Sequence, residues 1–289
     1  MEAAWKIAPL SSEHWIPSSS FISQYEKIHS RLLHTFSFQK DSLKTAIEVL
    51  EKLAETPQGR FLIQNRHLNI PHQNSFFYSP QNEVFLKQMP FVQALHYHVD
   101  RRRQILQNSL QNFLTITTIP CQGMGDVLNL DYRDIKQIRL MGLDTSPLSF
   151  ETAFQQADQK DLTHWLEFMH LDPMLTALGK EESHILIIPE CSYPLGPLVP
   201  LPDSTFLTKL YHSLKTGGFF ITSFVNKTFS FETPPHSEQN ILFKNILEIE
   251  ELNGLDLDTF AETLTNIGFQ NLEVSFDPEH IMTTVVAQK

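Results

Sequence analysis

The chain has 289 residues, 41% of them hydrophobic and 19% charged, and a formal net charge of -11. That is enough apolar material to bury the core of one large domain or two modest ones, and the acidic balance disfavours nucleic acid and anionic membrane surfaces as partners. The two cysteines, Cys121 and Cys191, lack paired Cys/His spacing, so neither a disulfide framework nor a metal site is encoded and a reducing cytoplasm suits them.

The amino-terminal stretch MEAAWKIAPLSSEHW lacks the basic-then-apolar order of a signal sequence, and no window approaches the ~18 apolar residues of a membrane span. A soluble protein is expected. From Phe21 to Leu110, apolar residues recur at three-to-four spacing in ISQYEKIHSRLL, SLKTAIEVLEKLAE and FVQALHYHVDRRRQILQNSLQNF, which predicts helices. Asp41 or Ser42 is the expected N-cap of the second, and the Pro/Asn/Ser-rich NIPHQNSFFYSPQN is a joint before the last. On that last helix His96, His98 and Asp100 precede Arg101, Arg102 and Arg103. Residues two apart on a helix diverge, so the histidines cannot jointly hold an ion; the cluster is expected to form a solvated face.

The texture changes near residue 110. Short β-branched runs (FLTITTI, IRLMGLD, HILIIPE, GFFITSFV, NLEVSF, TTVVAQK) now alternate with amphipathic helices. This predicts an α/β sheet, mostly parallel and covered by helices on both faces, over residues 111–289, after a helical region over residues 1–110. NKTFSFETPPHSEQNILFK, residues 226–244, reads as a long irregular insertion, either a substrate lid or a surface excursion. Its Phe229, Phe231 and Phe243 call for apolar partners.

The stretch TTIPCQGMGDVLNLDY places Gly123 and Gly125, two of only ten glycines, after the first strand and before a helix expected to start near Asp126. Glycine permits positive φ and close approach of a ligand to the backbone, so the loop is either a nucleotide-type cradle or a tight strand-to-helix turn. About twenty residues on, the second strand ends in Asp144, followed by Thr145 and Ser146. In a doubly wound sheet that carboxylate reaches a ribose diol, or it caps the next helix.

From Phe113 to Lys289 these segments, in this order, resemble the class I S-adenosylmethionine-dependent methyltransferases. FMHLDPML is similar to the third strand and its acidic turn, HILIIPECSYP to the fourth, and LYHSLKTGGFFITSF to the helix, glycine turn and fifth strand. LTNIGFQNLEVSFDPEHIMTTVVAQK is similar to the closing helix and antiparallel strand pair. GRFLIQNRHLN and the closing MTTVVAQK resemble a bacterial methyltransferase-like group with a helical leader. The resemblance implies a Rossmann-like, doubly wound, seven-stranded sheet, mostly parallel with an antiparallel C-terminal strand, and S-adenosyl-L-methionine as cofactor. It implies cofactor contacts from Pro120, Cys121, Gln122, Gly123, Gly125, Asp144, Thr145, Asp172, Pro189 and Glu190. The helical region would serve as a lid selecting a small or medium acceptor, a small molecule or a protein. One arginine of the Arg101–Arg103 run would reach the methionine carboxylate.

Methyl transfer from a sulfonium needs alignment and, for a protonated acceptor, a base. At the end of the fourth strand Glu190 is the expected base and Tyr193 the positioning group. The family's glycine loop begins with an acidic residue and a first glycine, where this chain has Ile119 and Cys121, and the fourth strand's acidic start is His184. The Asn-Pro-Pro-Tyr pattern that serves base or glutamine amines is absent. Two other readings stay open: a catalytically degenerate binding scaffold and a nicotinamide-dependent oxidoreductase.

Overall fold

A computed structural model of the protein describes residues 18–64, 88–121, 123–170, 178–189, 203–229, 237–247 and 254–289. The chain divides into two compact units, residues 1–67 with 237–250, and residues 68–236 with 251–289.

The first unit is helical. α1 (Ser19–Thr35) starts at Ser18, whose hydroxyl accepts from the Phe21 N–H. α2 (Lys40–Ala54) starts before the expected caps: Gln39, two residues ahead of Asp41, stands at the N-cap without a side-chain bond. Asp41 then lies in the first turn, where its charge still favours the helix dipole. α3 (Pro57–Gln64) follows, and the Gln64 amide donates to Ser18 Oγ. In place of an irregular loop, the far end of the insertion is a short helix, α8 (Ser237–Asn240), running into a π-helical turn, Ile241–Ile246. Ile241, Leu242, Phe243 and Ile246 are buried, as are Ile28, Leu32, Val49 and Leu50 of α1 and α2 in the same unit. The Arg31 guanidinium donates to the Asn245 carbonyl. Phe229, at the near end of the insertion, stacks on Phe91 of the second unit, and Phe231 lies outside the described residues.

The second unit begins with α4 (Pro90–Ser109). It continues through β1 (Thr115–Thr118), α5 (Gly125–Leu128), β2 (Arg139–Asp144), α6 (Pro147–Asp158), β3 (Leu166–His170), β4 (Ser183–Ile188) and α7 (Ser204–Ser213). β5 (Leu214–Val225), α9 (Leu257–Ile267), β6 (Gln270–Phe276) and β7 (Met282–Gln288) complete it. The strands form one seven-stranded sheet of order β3-β2-β1-β4-β5-β7-β6, parallel except that β7 runs antiparallel between β5 and β6. Because side chains alternate along a strand, both faces need cover. Leu186 and Ile188 of β4 lie with Phe206, Leu210, Phe260 and Leu264 of α7 and α9. Ile185 and Ile187 lie with Leu106 of α4, Val127 of α5 and Ala153 of α6. This is the doubly wound, Rossmann-like architecture.

Candidate functional site

The strand order reverses between β1 and β4, which parts the loops at their carboxyl ends and makes that point the natural place for a ligand. The chain after β1 stays bonded on both sides: Ile119 donates its N–H to the Ile187 carbonyl and Cys121 its N–H to the Leu143 carbonyl. Pro120, Cys121, Gly123 and Gly125 are thereby brought to one edge with Asp144 and Thr145 at the end of β2 and Pro189 after β4. Gln122, Asp172, Glu190 and Tyr193 lie outside the described residues.

The two glycines have different reasons to be there. Gly123 has φ +84, and a Cβ on it would approach Thr152 Cγ2 to 3.1 Å, so it serves the turn and the packing on α6. Met124 follows at φ 55 and turns the chain into the four-residue α5, which starts one residue before the expected Asp126. At Gly125 a Cβ would meet, among the described residues, nothing nearer than Asn129 Nδ2, 4.0 Å away. The space beside Gly125 is therefore open, which a ligand cradle requires and a packing turn does not.

Asp144 is buried, and its Oδ1 accepts the Ser146 N–H at 2.9 Å, a turn bond two residues on; Ser146 itself holds the N-cap of α6, so Asp144 does not cap that helix. The Cys121 thiol, also buried, lies within the field of the Asp144 charge. Burial, with the neighbouring Asp144 charge, pushes that thiol far above its ordinary value, so it stays protonated. His184 stands at the other end of the sheet: its Nδ1 accepts the Thr115 N–H at 2.9 Å, and burial with the Lys215 charge holds it below the usual imidazole range.

The solvated face expected around His96 to Arg103 is not what forms. His98 and Arg102 are buried, one turn apart on the side of α4 that also carries Leu95, Val99 and Leu106. Arg102 Nε donates to Asp126 Oδ2 at 2.6 Å and Nη1 to Ser223 Oγ at 2.7 Å, while Nη2 is buried without an acceptor among the described residues. Ser223 Oγ lies 2.8 Å from Thr284 Oγ1, which lies 2.5 Å from His98 Nδ1, and His98 Nε2 is 3.3 Å from Asp277 Oδ2. Asp277 accepts further bonds from the N–H groups of Glu279, Ile281 and Met282.

One assignment of protons satisfies the whole chain: Arg102 donates to Ser223, Ser223 to Thr284, Thr284 to a neutral His98, and His98 to Asp277. Burial is the main cause that lowers His98, assisted by the Arg102 charge and opposed by Asp277. Burial works to raise Asp277, but the bonds from His98 and the three N–H groups outweigh it and hold the carboxyl low. Arg103 Nη2 also reaches the Gly125 carbonyl at 3.4 Å. Sequence reasoning missed this chain, although its signal is present: His98 and Arg102 share the four-residue spacing of the apolar stripe.

No family model and no curated protein matches this chain. Solved structures do. A possible exported protein from Bordetella parapertussis is 23% identical, with a TM-score of 0.75, over 98% of this chain and 99% of that one. An O-methyltransferase family protein from Burkholderia thailandensis is 11% identical, with a TM-score of 0.51, over 90% and 72% of the two chains. The CurJ carbon methyltransferase is 12% identical, with a TM-score of 0.50, over 91% and 70%. The architecture is thus one shared with methyltransferases. Among the described residues, no helix is long and apolar enough to cross a membrane.

Proposed function

We propose that this chain binds S-adenosyl-L-methionine at the carboxyl ends of β1, β2 and β4 and transfers its methyl group to a small or medium acceptor. The observation that carries the reading is the open space beside Gly125, in a loop held between β2 and β4 with the Asp144 carboxylate at the neighbouring strand end. The methyltransferase structures on the same architecture support it.

The cofactor supplies a methyl group already activated by its sulfonium. The protein's part is to hold and align. The loop from Pro120 to Gly125 gives backbone approach, and Asp144, with Thr145 beside it, accepts from the ribose hydroxyls. Pro189 closes the end of β4. Gln122 and Asp172 complete the cofactor contacts in this reading. Glu190 removes the acceptor's proton and Tyr193 positions the acceptor. A cytoplasmic location belongs to the same reading, and cell fractionation tests it against export.

Calorimetry with S-adenosylmethionine, S-adenosylhomocysteine and NAD is the direct test. Micromolar binding of the first two with none of NAD supports the reading; binding of NAD alone replaces it with an oxidoreductase. A binding scaffold without turnover is the second reading, favoured by Ile119, fully buried and apolar at the family's acidic position. Tight cofactor binding with no methyl transfer across a broad acceptor screen would select it.

A further inference from the structure

We infer that Asp126, held by the buried Arg102, is the carboxylate that receives the α-ammonium of the cofactor's methionine end; this rests on the function proposed above. Between Thr117 and Asp126 the sequence carries one acidic residue, Asp126 itself. Ile119 is fully buried and apolar, and the Cys121 thiol is buried and uncharged, so neither side chain offers a cation an anionic partner. Asp126 follows Gly125, where the backbone stands open. Its side chain is 10% exposed, and only Oδ2 is hydrogen-bonded among the described residues.

Arg102 explains why that carboxylate stays in place and stays available. A guanidinium usually grips a carboxylate through two parallel bonds. Here it makes one, 2.6 Å from Nε to Oδ2, and spends Nη1 on Ser223 while Nη2 meets no acceptor among the described residues. The second carboxylate oxygen, Oδ1, is left to accept from another donor. Arg103 fixes the adjacent Gly125 carbonyl from the same helix, so Gly125 and Asp126 are held from behind by consecutive arginines before any ligand arrives. A site organised in advance loses less ordering free energy on binding. Arg102 is a positioning residue, while Asp126 touches the ligand.

The test is a calorimetric comparison of three ligands on the parent and on Asp126→Asn. S-Adenosylhomocysteine carries the ammonium, S-adenosyl-4-thiobutyrate lacks only that group, and 5′-methylthioadenosine lacks the whole amino-acid end. The parent should prefer S-adenosylhomocysteine over the thiobutyrate at least tenfold, because a hydrogen bond to a charged group is lost. In Asp126→Asn that preference should collapse to about twofold or less, with 5′-methylthioadenosine binding both proteins alike. An undiminished preference in Asp126→Asn overturns the assignment while leaving the cofactor reading intact. Failure of the parent to bind any of the three overturns both. Should Asp126→Asn fail to fold because Arg102 has lost its carboxylate, the double variant Arg102→Gln, Asp126→Asn removes both charges and carries the same comparison.

Discussion

At the scale of single residues, the glycine loop separates conformational need from ligand access. Gly123 is held to glycine by its positive φ and by Thr152, so a substitution there disturbs the loop itself. Gly125 has neither restraint, which makes Gly125→Val a clean probe. The variant should melt within a few degrees of the parent and lose most of its affinity for S-adenosylhomocysteine; retained affinity would show that no ligand lies against that backbone. Asp144→Ala removes an acceptor of charge-assisted bonds, about 1.5 to 3 kcal/mol each, so calorimetry should read a loss of tenfold or more. A smaller loss would mean that Asp144 serves the turn at Ser146 and not a ligand. The protonated thiol predicts that Cys121 resists iodoacetamide at pH 8 in the folded protein and reacts once it is unfolded, as peptide mass mapping can show.

At the scale of elements, α4 contributes a polar seam where an amphipathic helix usually contributes a purely apolar one. The seam ties the β6–β7 turn, through Asp277, and β7, through Thr284, to β5 and the start of α5. Breaking a buried ion pair strands a charge, so Arg102→Met should lower stability in urea by about 3 to 5 kcal/mol. The seam also predicts an acid response. Because the folded-state value of His98 lies below its unfolded value of about 6.5, the unfolded chain binds the proton first. Stability from this group is therefore full above that value and is lost as pH falls below it. The fall in melting temperature between pH 7 and 5.5 should be shallower in His98→Gln than in the parent. Parallel profiles would mean that His98 is not the group responsible.

At the scale of the whole molecule, the helical unit is discontinuous. Residues 237–250, reached only after five strands of the sheet, complete a unit begun by residues 1–67. Phe243 is fully buried there, and Phe→Ala in a core costs about 3 to 5 kcal/mol. Phe243→Ala should therefore speed hydrogen exchange in α1 and α2 while leaving β1, β4 and β5 at parent rates. Uniform acceleration would mean that the two units unfold as one.

What the sequence determined is what repeats locally. The two-residue alternation of HILII, the three-to-four spacing of the helices and the paired glycines before Asp126 are read within a few residues. They were sufficient for the alternation of strands and helices; the resemblance to the methyltransferases added the seven-stranded sheet and set Gly125 and Asp144 at neighbouring strand ends. Tertiary structure decided what depends on distant partners. Arg102 and His98 look like a surface cluster because their partners Ser223, Asp277 and Thr284 lie 121 to 186 residues away. The insertion looks irregular because the core that gives Phe243 a partner is built by α1 and α2. Burial of a polar group is set by what closes around it, and local spacing carries no record of which distant strand or helix will do so.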